Sequence, residues 1–191
     1  MRISKKIFTI ILSISLLVVI SCGDRPTGSG DVDNQIDALL TSFPKPTGNP
    51  ISDSSLNGSY KSQNKLTIVP EETKLINHNQ SKEDFNKENA EKEISLEINN
   101  GMVTCKSIST STEILIDGKQ LYDDNKKYSA FEEKYYHGDG VNNTSLYYIE
   151  FDINTLTFKF TELIRISGTY NYAYQATYTG ILTKDTSSSG S

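Results

Sequence analysis

Tyr147-Tyr148-Ile149-Glu150-Phe151-Asp152-Ile153-Asn154-Thr155-Leu156-Thr157-Phe158-Lys159-Phe160-Thr161-Glu162 holds two runs that alternate with period two. Tyr147, Ile149, Phe151 and Ile153 fall on one side of the first, and Leu156, Phe158 and Phe160 on one side of the second. In a strand, successive side chains point to opposite faces. A turn at Asn154-Thr155 therefore sets Ile153 opposite Leu156, Phe151 opposite Phe158 and Ile149 opposite Phe160. All six share a face, so turn and hydrophobic pattern agree on one register. Thr resists positive φ, so a slightly longer loop is an alternative to a two-residue turn.

The same period recurs outward from this hairpin. Ile94 to Ile98 and Met102 to Ile108 flank Asn99-Asn100-Gly101, a strong hairpin signal. A third hairpin is expected from Thr112 to Tyr122, turning at Asp117-Gly118-Lys119. Thr169 to Leu182 reads as the last strand. Leu56 to Lys61 and Lys65 to Val69 supply the first strand or two. Glu71 to Glu93 reads as either a brief helix near Ser81-Lys82-Glu83-Asp84 or a long loop. Many short strands joined by hairpins predict an all-β fold: an antiparallel up-and-down meander forming a small barrel or sandwich. Its expected core contains Tyr60, Ile98, Val103, Cys105, Ile149, Phe151, Ile153, Leu156, Phe158 and Phe160.

Residues 56–185 form the expected β domain, and 186–191 a disordered tail. Residues 22–55 read as a flexible tether, because four of the five prolines lie there. One helix is expected within it, over 31–43. Val32, Ile36, Leu39, Leu40 and Phe43 make one helical face, Asp31 can cap its start, and Pro44 stops it.

At the other end of the argument stand residues 1–22. Arg2, Lys5 and Lys6 precede the apolar run Ile7 to Ile20, which closes on Val19-Ile20-Ser21-Cys22. The run is short of the roughly 20 apolar residues a spanning helix needs. The layout is that of an export signal. It resembles a bacterial lipoprotein signal peptide ending in a lipobox. That resemblance implies a 1–21 signal peptide, cleavage after Ser21, and diacylglycerol and palmitate on Cys22. The chain is then expected to be exported and lipid-anchored to the cell envelope, at the outer membrane or cell surface rather than the inner membrane. Gly58-Ser59-Tyr60 at the start of the meander and Gly168-Thr169-Tyr170 before its last strand resemble the Gly-x-aromatic entry of lipocalin-like, or calycin-like, barrels. This second resemblance implies a closed or nearly closed barrel with an apolar ligand.

Loss of residues 1–21 would take the formal charge from −5 to −8. An acidic surface repels phosphate backbones, so no nucleic-acid partner is expected. With Cys22 lipidated, Cys105 has no intramolecular partner and reads as a small buried apolar residue. No nucleophile elbow, His-Glu-x-x-His motif or phosphate-cradling glycine loop occurs. Neither enzymatic activity nor a cofactor is expected. Tyr135-Tyr136-His137-Gly138-Asp139-Gly140 could join Asp123-Asp124 in an oxygen-rich cation site, but it lacks calcium-loop spacing and reads as a solvated turn, so no metal is expected.

Tyr170, Tyr172, Tyr174 and Tyr178 alternate along the last strand. An exposed row of tyrosines would bind glycan or protein, because each offers apolar area and a hydrogen-bonding tip. Packing in the core is the competing reading, expected for at least two of the first three. The sequence therefore points to a membrane-anchored, non-catalytic binding module for a macromolecule. The alternative is a lipocalin-like carrier of a small apolar ligand.

Overall fold

Ile149 stands opposite Phe160 and Phe151 opposite Phe158, as the alternation requires. The structure, a computed structural model, describes residues 29–52, 54–108, 112–138 and 140–185. Its strands are β1 (Asn49–Pro50), β2 (Gly58–Ser62), β3 (Leu66–Ile68), β4 (Lys74–Ile76), β5 (Glu91–Lys92), β6 (Ile94–Asn99), β7 (Met102–Ile108), β8 (Thr112–Gln120), β9 (Tyr122–Asp124), β10 (Lys127–Gly138), β11 (Val141–Asp152), β12 (Thr157–Gly168) and β13 (Tyr172–Lys184), with helices α1 (Ser29–Thr41) and α2 (Lys82–Glu88). All pairings are antiparallel, and the ladder runs β10-β11-β12-β13-β2-β6-β7-β8. The short strands β3 and β4 continue the line of β2 along β13.

The ends of this ladder meet, giving a nearly closed up-and-down barrel. Side chains bridge the seam between β8 and β10. Glu132 accepts from the Asp117 amide at 3.1 Å and pairs with Lys119 at 3.0 Å, while Lys134 Nζ donates to the Ile114 carbonyl at 2.6 Å. We call the end with Gly138, Gly140, Val141 and residues 168–171 the upper end; residues 99–102 and 152–157 lie at the lower end.

The lower barrel is filled by its own side chains. Tyr60, Leu96, Ile98, Val103, Cys105, Ile149, Phe151, Phe158, Phe160 and Tyr178 are buried together. Ile153 and Leu156 are only partly buried against them, because they stand in the loop that closes the hairpin. That loop spans four residues: Asp152 accepts from the amides of Asn154 and Thr155 at 2.8 and 3.2 Å, and Leu156 takes φ +55°. Asn100 and Gly101, at φ +49° and +76°, make the mirror-image turn that suits the twist of β6 and β7.

Asp117-Gly118 does not turn the chain, contrary to the sequence expectation. β8 runs straight through it to Gln120, and the pair forms a bulge against β7. Gly118 has φ +53°, and an extra residue in one strand absorbs it there. Lys119 is thereby carried to Glu132 across the seam.

Helix α1 is not a free element of a tether. Ile36, Leu39 and Phe43 bury their side chains against Leu146, Tyr148, Leu163 and Ala173 on the outer face of β11, β12 and β13. This second core explains why those strands carry apolar residues on both faces. Past the helix, β1 pairs with β9. The described fold thus includes the stretch from Ser29 onward, packed on the barrel upstream of Leu56. Ser81 caps α2 by accepting from the Asp84 amide at 3.1 Å.

Candidate functional site

Two connections meet at the upper end: the β10–β11 hairpin and the loop from β12 to β13. Thr169 N donates to Gly140 O at 3.3 Å. Gly168 holds φ +120°, and a Cβ there would lie 2.1 Å from Gly140 O. Only glycine allows this approach. The two tips are therefore locked side by side.

They carry the three most exposed aromatic side chains of the described residues: Tyr135 (64%), Tyr136 (66%) and Tyr170 (66%). The Tyr135 hydroxyl donates to Glu133. That bond favours the protonated phenol and raises its pKa. His137 Nδ1 and Asn142 Oδ1 lie 2.8 Å apart. Beside the tips opens a groove of about 520 Å³ lined by Asn77, Asn79, Thr169, Tyr170, Asn171 and Tyr172. Its walls are tied together by amides: Asn77 Nδ2 donates to Asn171 O at 2.6 Å, and Asn171 Nδ2 donates to Asp33 Oδ1 at 2.6 Å. Asn171 Oδ1 is buried with no partner among the described residues.

The four tyrosines read from the last strand do not form one open row. Tyr170 precedes the strand and is exposed. Tyr172 is half-buried at the groove. Tyr174 sits beneath Phe85 and His78, with ring centroids 5.0 and 6.1 Å away. His78 also meets Tyr172 edge-on at 5.3 Å. The segment from β4 to α2 thus covers the middle of the row. Burial lowers the His78 pKa and raises that of Tyr174. Tyr178 lies in the core at 1% exposure, its ring tilted against Phe160 with centroids 6.1 Å apart. Its hydroxyl donates to Glu162 Oε1 at 3.4 Å. Glu162 is held by Lys92 at 2.5 Å, whose ammonium stands 4.9 Å from the Tyr178 ring centre. Tyr178 has no surface through which to act in recognition, and Tyr174 is partly buried under the segment from β4 to α2.

Cys105 is fully buried, and burial pushes its thiol pKa up; a thiol so held is a packing residue. Asp123 stands opposite Tyr128 near the lower end of β10, about 23 Å of strand away from Tyr135 near its upper end. They cannot share a cation. Cys22 lies outside the described residues.

The alternation of the strands marks out none of the other four residues at this end. Tyr135 and Tyr136 lie in β10 just before its tip rather than in a solvated turn. Asn77 and Asn79 carry no periodic signal; only the path of β4 brings them to Tyr170. The chain matches no protein-family model, no curated protein and no solved structure.

Proposed function

We propose that this chain is a membrane-anchored, non-catalytic lipoprotein that binds a macromolecule, glycan or protein, through the groove at its upper end. The carrying observation is the meeting of exposed Tyr170 with Asn77, Asn79, Asn171 and Tyr172 around one groove of about 520 Å³. That volume falls in the range of ligand sites, roughly 300 to 1,000 Å³. Amide side chains both donate and accept, which suits hydroxyl-rich or peptide-bearing partners. Tyrosine adds apolar area that keeps a polar edge. The anchor reading rests on the Ile7–Cys22 pattern. The filled lower barrel weighs for binding at the surface rather than for carriage of an apolar ligand inside.

A photo-crosslinking amino acid at Tyr170, expressed in the native host, tests the reading. A covalent product with a glycan or protein is expected from Tyr170 and not from the same probe at Asn154, at the lower end. Products from Asn154 alone would place binding elsewhere. Palmitate labelling of wild type and not of Cys22→Ser tests the anchor.

A further inference from the structure

The first described residues lie beside the tyrosine-bearing tips. Asp33 Oδ1 accepts from Asn171, the neighbour of Tyr170, at 2.6 Å. Farther down α1, Asp37 pairs with Arg165 at 3.5 Å, and just past its end Phe43 meets Phe131 at 6.2 Å. The helix therefore descends from the upper end, and its start faces upward. Ser29 precedes Asp33 by four residues, about 6 Å of helix axis. Ser29 thus stands at or above the level of the tips.

Seven residue steps separate Cys22 from Ser29. Even fully extended, they reach only about 25 Å. Had the fold begun near Leu56, the barrel could turn any way on its tether. Because Ser29 is already part of the packed helix, a lipid on Cys22 brings the upper end to the bilayer. What that end presents fits the place. Tyr135, Tyr136 and Tyr170 are amphipathic rings with their hydroxyls at the tip, the kind of side chain enriched at membrane interfaces. No spanning element is required, since a lipid supplies the depth.

We infer that the barrel stands with its upper end against the bilayer, Tyr135, Tyr136 and Tyr170 seated in the headgroup layer. This rests on the lipid-anchor reading of Cys22 and narrows the partner: a ligand of the Asn77–Tyr170 groove must itself be carried at the membrane surface. Headgroups of zero net charge suit the site. The processed chain has a formal charge of −8, and Glu133 holds the Tyr135 hydroxyl. Anionic lipids are repelled.

The chain contains no tryptophan, so a single introduced indole reports its own surroundings. Tyr136→Trp, Tyr170→Trp and Asn154→Trp are each made in the full chain, expressed with its signal and purified in lipidated form. Each is reconstituted into phosphatidylcholine vesicles brominated high on the acyl chain. Mass spectrometry of the N-terminal peptide first establishes the lipid. Emission from Tyr136→Trp and Tyr170→Trp should be quenched about twofold relative to unbrominated vesicles and shifted to the blue, as interfacial indoles are. Asn154→Trp should be unaffected. Changing Tyr135 and Tyr136 to Ser should weaken the quenching of Tyr170→Trp. If the lipid is present and all three indoles behave alike, the orientation is wrong while the anchor stands, and the tips are left to a partner in solution. If the peptide carries no lipid, the anchor reading falls and takes this orientation with it.

Discussion

Tyr178 and Tyr170 belong to one alternating run, yet they live in different regions. Tyr178 is 1% exposed among Phe160, Lys92 and Glu162, whereas Tyr170 is 66% exposed on a loop. In the lower barrel every strand has a neighbour across the interior, so each inward side chain meets others. At the upper end, the strands outrun the cylinder and no opposite wall remains. Residue type and alternation are shared by the two regions; what differs is depth along the barrel axis. Alternation reports which way a side chain points and is silent on what it points at.

This contrast breaks most sharply in the lower barrel. Phe158→Ala should cost about 3–5 kcal/mol, because the cavity collapses only partly. Its melting midpoint, followed by circular dichroism, should fall by roughly 10 °C or more. An unchanged midpoint would remove Phe158 from the core.

Next comes the buried pair. Lys92→Met strands Glu162, whose side chain is 9% exposed. Because Lys92 itself keeps some water contact, a loss of about 3 kcal/mol is expected, at the low end for broken buried pairs. Lys92→Met with Glu162→Leu should recover most of it, since a buried pair often does little better than apolar residues of its size. Urea denaturation of the three proteins measures this, and a double variant no better than the single would contradict the account.

A graded series then maps depth along the last strand. Tyr174→Ser should destabilise by about 2–4 kcal/mol through lost contact with Phe85 and His78. Tyr170→Ser should stay within about 0.5 kcal/mol of wild type, as exposed substitutions do. Equal losses would mean that the upper end is packed as the lower barrel is.

The smallest expected effect depends on pH. His78 has its pKa lowered by burial from 6.5. The Gln80 amide donates to its Nδ1 at 3.2 Å, a bond that protonation of Nδ1 would break. Unfolded chains then bind the proton more readily than folded ones. This contribution to stability is intact above pH 6.5 and declines as pH falls toward the lowered folded value. His78→Phe keeps a ring against Tyr172 and Tyr174 and should flatten this part of the stability profile. Matching profiles for the two proteins would show that His78 does not titrate differently on folding.

Much of the barrel is legible in the sequence itself. The Phe151–Phe158 register, the Asn100-Gly101 turn and the buried places of Tyr60, Ile98, Val103 and Cys105 all follow from local rules. The Asp117-Gly118 turn failed because the same glycine that closes a hairpin also permits a bulge. Only strand β10 across the seam, with Glu132 waiting for Lys119, selects the bulge. The Val32–Phe43 stripe was readable as a helix. That it docks on Leu146, Tyr148 and Leu163 was not, since an amphipathic face states a need for cover without naming what covers it.

The candidate site divides the same way. Tyr170 could be singled out from the sequence, because tyrosines at period two next to Gly168 are unusual in any strand. Its neighbours Asn77 and Asn79 come from a segment about ninety residues earlier, and their meeting depends on β4 pairing with β13; Tyr135 and Tyr136 share its end of the barrel because Gly140 touches Gly168. By itself, the sequence determined periodicity, turn chemistry and the Ile7–Cys22 pattern, since each is a matter of near neighbours along the chain. Tertiary structure alone decided which tyrosines lie deep, what the Val32–Phe43 helix packs against, and which end stands beside Ser29. Those answers belong to contacts between residues far apart in sequence, which local preference cannot encode.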